Sequence, residues 1–122
     1  DWGRNIPRQT FRRACDNGLC AIARVEGRPV GFTRAVTDYA TFAWISDVFV
    51  EERSRGMGAA RALMRWFLEH PELQGLRRWC LATRTAHGLY EKFGFELVPP
   101  GRFMVIKDEA LYGSVLGRDD VR

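Results

Sequence analysis

Apolar residues recur along this chain at two different spacings, and the change from one to the other divides it. Residues 8–17 set Phe11, Ala14 and Cys15 on one helical stripe, with Pro7 in the first turn and Gly18 as the stop. Residues 20–26 and 30–37 then read as strands around Gly27, Arg28 and Pro29, a hairpin signal. A second turn at Asp38, Tyr39 and Ala40 leads into a third strand, residues 41–50, rich in aromatic and β-branched side chains. After Glu51 the spacing lengthens. A polar, glycine-bearing stretch precedes a helix in which Ala60, Leu63, Met64 and Phe67 share one face and Arg61, Arg65 and Glu69 the other. Pro71 helps to end it. Residues 78–83 read as a short buried strand and residues 86–93 as a short helix capped by Gly94. Residues 95–98 and 103–106 read as two last strands about Pro99, Pro100 and Gly101. The tail over residues 108–122 has no strong period. With no repeat or linker, the pattern predicts one α+β domain over residues 1–122.

Composition narrows the class. With 122 residues, 46% of them hydrophobic, the chain can bury a single core. No apolar stretch is long enough to span a bilayer and the N-terminus is unlike a signal peptide, so no membrane partner is expected. Three cysteines (Cys15, Cys20, Cys80) without paired spacing suggest neither a disulfide framework nor a metal site. A cytoplasmic location is the expectation. The net charge of +4 comes from 17 arginines and two lysines against 15 acidic residues. These arginines are scattered, with no basic run of the kind that forms a nucleic-acid arm, so no nucleic-acid partner is expected.

The segment that carries chemistry runs from Val48, Phe49 and Val50 through Arg53, Ser54, Arg55, Gly56, Met57 and Gly58 to Ala59. Two glycines let the backbone approach a ligand closely. The helix that follows offers unpaired N–H groups and a partial positive charge, and Arg53 and Arg55 add cationic side chains. The arrangement suits a pyrophosphate; a plain structural turn has the same composition. Neither a P-loop nor the Gly-x-Gly-x-x-Gly dinucleotide fingerprint is present.

Arg53-x-x-Gly56-x-Gly58 resembles the Arg/Gln-x-x-Gly-x-Gly/Ala signature of the GNAT superfamily of N-acetyltransferases, between a central strand and a long helix. Downstream, Ala86, Tyr90, Gly94 and Phe95 resemble the family's A-x-x-x-Y-x-x-x-G-F segment, at the right interval. Residues 25–95 as a whole resemble small stand-alone bacterial members. The resemblance implies a mixed, mostly antiparallel sheet flanked by helices, and acetyl-CoA as co-substrate with no metal. It implies that the pantetheine arm lies against Val48, Phe49 and Val50 and that the pyrophosphate meets the backbone of residues 55–59, near Arg53. The reaction it implies is acetyl transfer to a primary amine of a small molecule or peptide, directly, in a ternary complex. A non-catalytic relative binding CoA or a partner protein is the alternative.

The resemblance also implies Tyr90 as general acid, since a phenol stays protonated near neutral pH and can donate to the departing sulfur. A core aromatic is the structural reading of the same residue. Asp47, on the strand before the donor residues, stands near the position of an acidic base in some members; alternating with Ile45 and Phe49, it either faces a cleft or is held by structural hydrogen bonds. Ser46 stands where related enzymes sometimes carry glutamate. His87 titrates in a useful range but opens a short helix. Phe32, Arg34 and Trp44 lie where family members build the acceptor pocket, yet the aromatics read equally as core and Arg34 as a solvated charge. Only one helix precedes Cys20, so the family's first strand is expected to be missing, and the sheet edge this leaves gives room for a homodimer.

Overall fold

The computed structural model describes residues 5–112, so most of the predicted tail lies outside the described residues. The chain divides into two compact units, Cys15–Glu96 and a second formed by Asp1–Ala14 with Leu97–Arg122. The order of elements is α1 (Arg8–Asp16), β1 (Leu19–Val25), β2 (Arg28–Thr37), β3 (Phe42–Val50), α2 (Ala59–Glu69), β4 (Arg78–Leu81) and α3 (His87–Glu91), with 3-10 turns at Glu52–Ser54 and Pro71–Leu73. These match the sequence expectation to within a few residues, apart from the last two strands.

The larger unit is built on a four-stranded sheet in the order β1-β2-β3-β4. The first three strands are antiparallel neighbours joined by short turns, and β4 runs parallel to β3 after the α2 crossover. Turn chemistry accounts for the first connections. Glu26 and Gly27 both take positive φ. Asp38 accepts from the amides of Ala40, Thr41 and Phe42 and from the Thr41 hydroxyl, which holds its carboxyl well below the usual range.

On one face of the sheet α2 buries Leu63, Met64 and Phe67, as its periodicity predicts. Met64 and Phe67 join Ala35, Ile45, Leu73 and Tyr90 in the core, with Val48, Trp79, Leu81 and Phe95 packed against it. Each fully buried large side chain contributes about 1.5–3 kcal/mol through apolar area removed from water, so Phe67, Met64 and Leu73 fix α2 against β2 and β3. α2 ends at Glu69; the His70 amide bonds to the Phe67 carbonyl and Pro71 starts the next turn.

Residues 95–98 and 103–106 do not form the expected strands: residues 95–108 are irregular apart from a turn at 100–101. Met104 and Ile106 are 91% and 101% exposed. Strand propensity describes fit to a neighbouring strand, and the sheet of the described residues, β1-β2-β3-β4, does not include these positions. Pro99 and Pro100, which carry no N–H, cannot donate to a ladder. The chain then turns at Asp108, whose carbonyl and carboxylate accept from Leu111 and Ala110.

Candidate active site

Strand β3 has two halves with different surroundings. Phe42, Ala43, Trp44 and Ile45 pair with Arg78, Trp79, Cys80 and Leu81 of β4. β4 stops there, so residues 46–50 of β3 have β2 on one side and no strand on the other among the described residues. This leaves a row of peptide groups at an open edge inside the sheet, able to pair with an extended ligand.

A bulge marks the junction. Register with β2 shifts between Phe32, opposite Phe49, and Arg34, opposite Ser46. Thr33 therefore faces two residues, Asp47 and Val48. Asp47 takes φ 57°, a left-handed conformation inside a strand. The simple alternation of Ile45, Asp47 and Phe49 expected from sequence is corrected here, because the extra residue rotates everything after it by one face. Val48 packs against the core, while Phe49 is exposed and registers with Phe32.

The open edge runs directly into the polar turn. Gly56 and Gly58 have φ of 88° and 84°, and a Cβ at either would meet nothing within 4 Å. Glycine is needed for the backbone angle, and the space beside it is open. Gly58 caps α2, and the Ala62 amide is the first to bond back, to the Gly58 carbonyl. The amides of Ala59, Ala60 and Arg61 thus have no acceptor within the helix and point from its N-terminus. Open space and free donors of this kind suit an anion; of the amides expected from sequence to meet a pyrophosphate, those of Arg55 and Met57 instead bond to the carbonyls of Glu52 and Ser54.

Glu51, which the sequence reading passed over, organises the turn. Its carboxylate oxygen Oε2 accepts from Arg28 at 2.6 Å, from Ser54 Oγ at 2.6 Å and from Arg53 Nε at 3.2 Å. Those donors, Ser54 first and then Arg28, lower the Glu51 pKa to about 2. Arg55 Nε donates to the Val50 carbonyl at 3.1 Å. Arg53 and Arg55 are therefore tied to the turn itself, with exposed side chains. An acid three residues before a serine, as in Glu51 and Ser54, is the local signal that could have revealed this hub.

Tyr90 lies in the core at 8% exposure, edge-on to Phe95 with ring centroids 6.0 Å apart. Burial pushes its pKa up, so the phenol is firmly protonated at neutral pH. No hydrogen-bond partner for its hydroxyl is found among the described residues, an uncommon state for a buried polar group. It shares its core cluster with Ile45, the last residue of β3 paired to β4, and Val48 and Leu81 pack against that cluster. His87 opens α3 at intermediate burial.

Arg34 is buried at 6% exposure, which corrects the solvated-charge reading. Its Nη2 lies 3.0 Å from Asp47 Oδ2, its Nε donates to the same oxygen at 3.1 Å, and Nη2 also reaches Ser46 Oγ at 3.4 Å. Phe32 and Trp44 are half-buried. Cys20, in register with Arg34, has its thiol pushed up to about 11 by burial and by Cys15, a poor nucleophile. A separate cavity of about 290 Å³ lies between Leu68, Trp79, Phe93 and Phe95, with Glu96 at its lining.

A strand edge that opens where β4 stops and continues into a glycine turn and a helix N-terminus has the form of a candidate site for an extended ligand with an anionic end. Residues 2–95 match the Acetyltransferase (GNAT) family, and the chain belongs to that family of acetyltransferases. A crystal structure of a GNAT-family protein from Xanthomonas campestris pv. campestris is 47% identical, with TM-score 0.85, covering 92% of this chain and 80% of that one. An acetyltransferase assigned in Deinococcus radiodurans R1 is 26% identical with TM-score 0.68, covering 83% of this chain and 69% of that one. A Clostridium acetobutylicum protein whose structure contains acetyl-CoA shares the fold at 16% identity and TM-score 0.64, covering 81% of this chain and 71% of that one. No curated protein sequence matches the chain significantly.

Proposed function

We propose that the protein moves the acetyl group of acetyl-CoA to a primary amine of a small molecule or peptide, directly, in a ternary complex. The observation that carries this reading is the continuity of the open β3 edge with the Gly56–Gly58 turn and the free amides of α2. An acyl-pantetheine arm has amides suited to pair along Val48, Phe49 and Val50, and a pyrophosphate suited to the amides that follow Gly58. Arg53, Ser54, Arg55 and Met57 shape that turn.

In the proposed reaction the amine lone pair attacks the thioester carbonyl, the C–S bond breaks, and the departing sulfur takes a proton from the Tyr90 hydroxyl. A raised phenol pKa suits a group that must arrive protonated, and a hydroxyl with no partner among the described residues can meet the sulfur. The amine's proton leaves through water, and the same water returns a proton to the Tyr90 phenolate. Asp47, with Oδ2 held by Arg34, serves the geometry of the site in this reading rather than removing that proton. Phe32, Arg34 and Trp44 belong to the acceptor side.

The test joins titration calorimetry of acetyl-CoA, desulfo-CoA and ADP with thiol release over a panel of primary amines. Tyr90→Phe should retain donor affinity and lose about 10²-fold or more in turnover. Undiminished turnover removes Tyr90 from the reaction, and donor binding without turnover on any amine makes the chain a CoA-binding relative. Absence of saturable acetyl-CoA binding sinks the proposal.

A further inference from the structure

We propose that Arg34 is a positioning residue: its buried ion pair with Asp47 locks the bulge that turns β3 away from β4 and opens the edge for the donor. This rests on the acetyl-CoA reading given above. The last pair between the two strands is Ile45 with Leu81, and the left-handed residue follows two positions later at Asp47. The departure of β3 from its neighbour thus coincides with the bulge. Bulges bend the strand that carries them and free its backbone from the ladder.

A left-handed residue inside a strand needs something to hold it there. Aspartate is one of the few residues with a side chain that visits this conformation. That tolerance permits the bulge without fixing it. The fixing contacts come from β2: Arg34 Nε and Nη2 both reach Asp47 Oδ2, and Nη2 reaches Ser46 Oγ. Thr33 Oγ1 donates to the Ser46 carbonyl at 3.3 Å from the same stretch of β2. A planar guanidinium sets two nitrogens on the carboxylate oxygen and one of them on the hydroxyl in a fixed fork, which the single nitrogen of an ammonium does not reproduce. Asp47 and Ser46 are thereby held from one buried side chain, and the backbone that follows, from Val48 onward, is presented at a fixed angle. Pre-organised backbone donors are the kind of element that gains most from such support.

Because the pair acts on β3, it should matter for the pantetheine arm and not for the pyrophosphate. The experiment measures acetyl-CoA and ADP affinity for wild type, Arg34→Met, Arg34→Lys, Asp47→Gly and the Arg34→Met/Asp47→Gly double variant. Circular dichroism confirms that each is folded at the assay temperature. Arg34→Met should weaken acetyl-CoA by about tenfold while leaving ADP within about twofold of wild type; a merely structural role would move both. Glycine adopts the left-handed conformation without help, so adding Arg34→Met to Asp47→Gly should change acetyl-CoA affinity by less than about twofold. If Arg34→Met does not fold, Arg34→Lys carries the test, with a severalfold loss for acetyl-CoA alone. Equal losses for both ligands, unchanged acetyl-CoA affinity, or additive effects of the two substitutions overturn the proposal. A wild type that binds no acetyl-CoA overturns the donor reading itself, and this inference with it.

Discussion

Replacing Gly58 by alanine isolates one physical effect, because nothing lies within 4 Å of where the new Cβ would go. No atom has to move, so the penalty is the backbone angle alone. At φ 84° an alanine is disfavoured by roughly 1–2 kcal/mol. Against this, alanine reduces the freedom of the unfolded chain, worth about 0.4–1 kcal/mol. The difference leaves a net loss near 1 kcal/mol, or about 4 °C in Tm for a domain of this size. Asparagine tolerates the left-handed region better than alanine, so Gly58→Asn should recover part of the loss. Urea denaturation of the three proteins measures it, with the slope of the transition checking that the unfolded state is unchanged. Donor affinity provides a second readout. The open space beside Gly58 is where the pyrophosphate is proposed to lie, so a methyl group there should also weaken acetyl-CoA binding to the folded variant. Alanine as stable as wild type, or asparagine no better than alanine, refutes the strain argument; lost stability with unaltered affinity refutes the placement of the pyrophosphate.

Acid should loosen the turn around Glu51. Its pKa is lowered in the folded protein to about 2, so its contribution is fully present above the ordinary carboxylate value and is lost as pH falls through about 2. Glu51→Gln should therefore flatten the fall in denaturation midpoint between pH 5 and pH 2, and a slope equal to that of wild type would exclude Glu51 as its source. In the core, Phe67→Ala should destabilise by about 3–5 kcal/mol, a large share of a typical total of about 5–15 kcal/mol. Chemical denaturation measures it, and a loss below about 1 kcal/mol would mean that α2 is not anchored by this ring.

The features readable from sequence were those that neighbouring residues determine among themselves. Leu63, Met64 and Phe67 declare a helix face because positions three and four apart share a side of any helix. Gly56 and Gly58 declare a turn because few other residues reach its angles. The misread features depend on partners far along the chain. Arg34 reads as a surface charge until Asp47, thirteen positions later, is brought across the ladder to it. The bulge at Asp47 follows from how β2 and β3 register, which alternation within β3 cannot reveal. Residues 103–106 carry strand-like side chains, but that composition by itself makes no strand there. Glu51 was missed for a related reason: one of its three donors, Arg28, comes from the start of β2.

The bulge ties the core to the site. Without it, residues after Ser46 would continue the pleat, and Val48 would share the face of Ser46 and Arg34. With it, Val48 turns inward to the cluster that holds Tyr90, and Phe49 turns out beside Phe32. One extra residue therefore does two things: it packs the strand against the cluster that contains the proposed acid, and it sets an aromatic side chain on the face proposed for the acceptor. On this reading donor recognition rests mainly on backbone groups, at the β3 edge and the start of α2. Such groups tolerate wide changes in side chain as long as the path of the chain is kept. Side chains then decide the path and the acceptor, and Arg34 does the first from a position that borders the second.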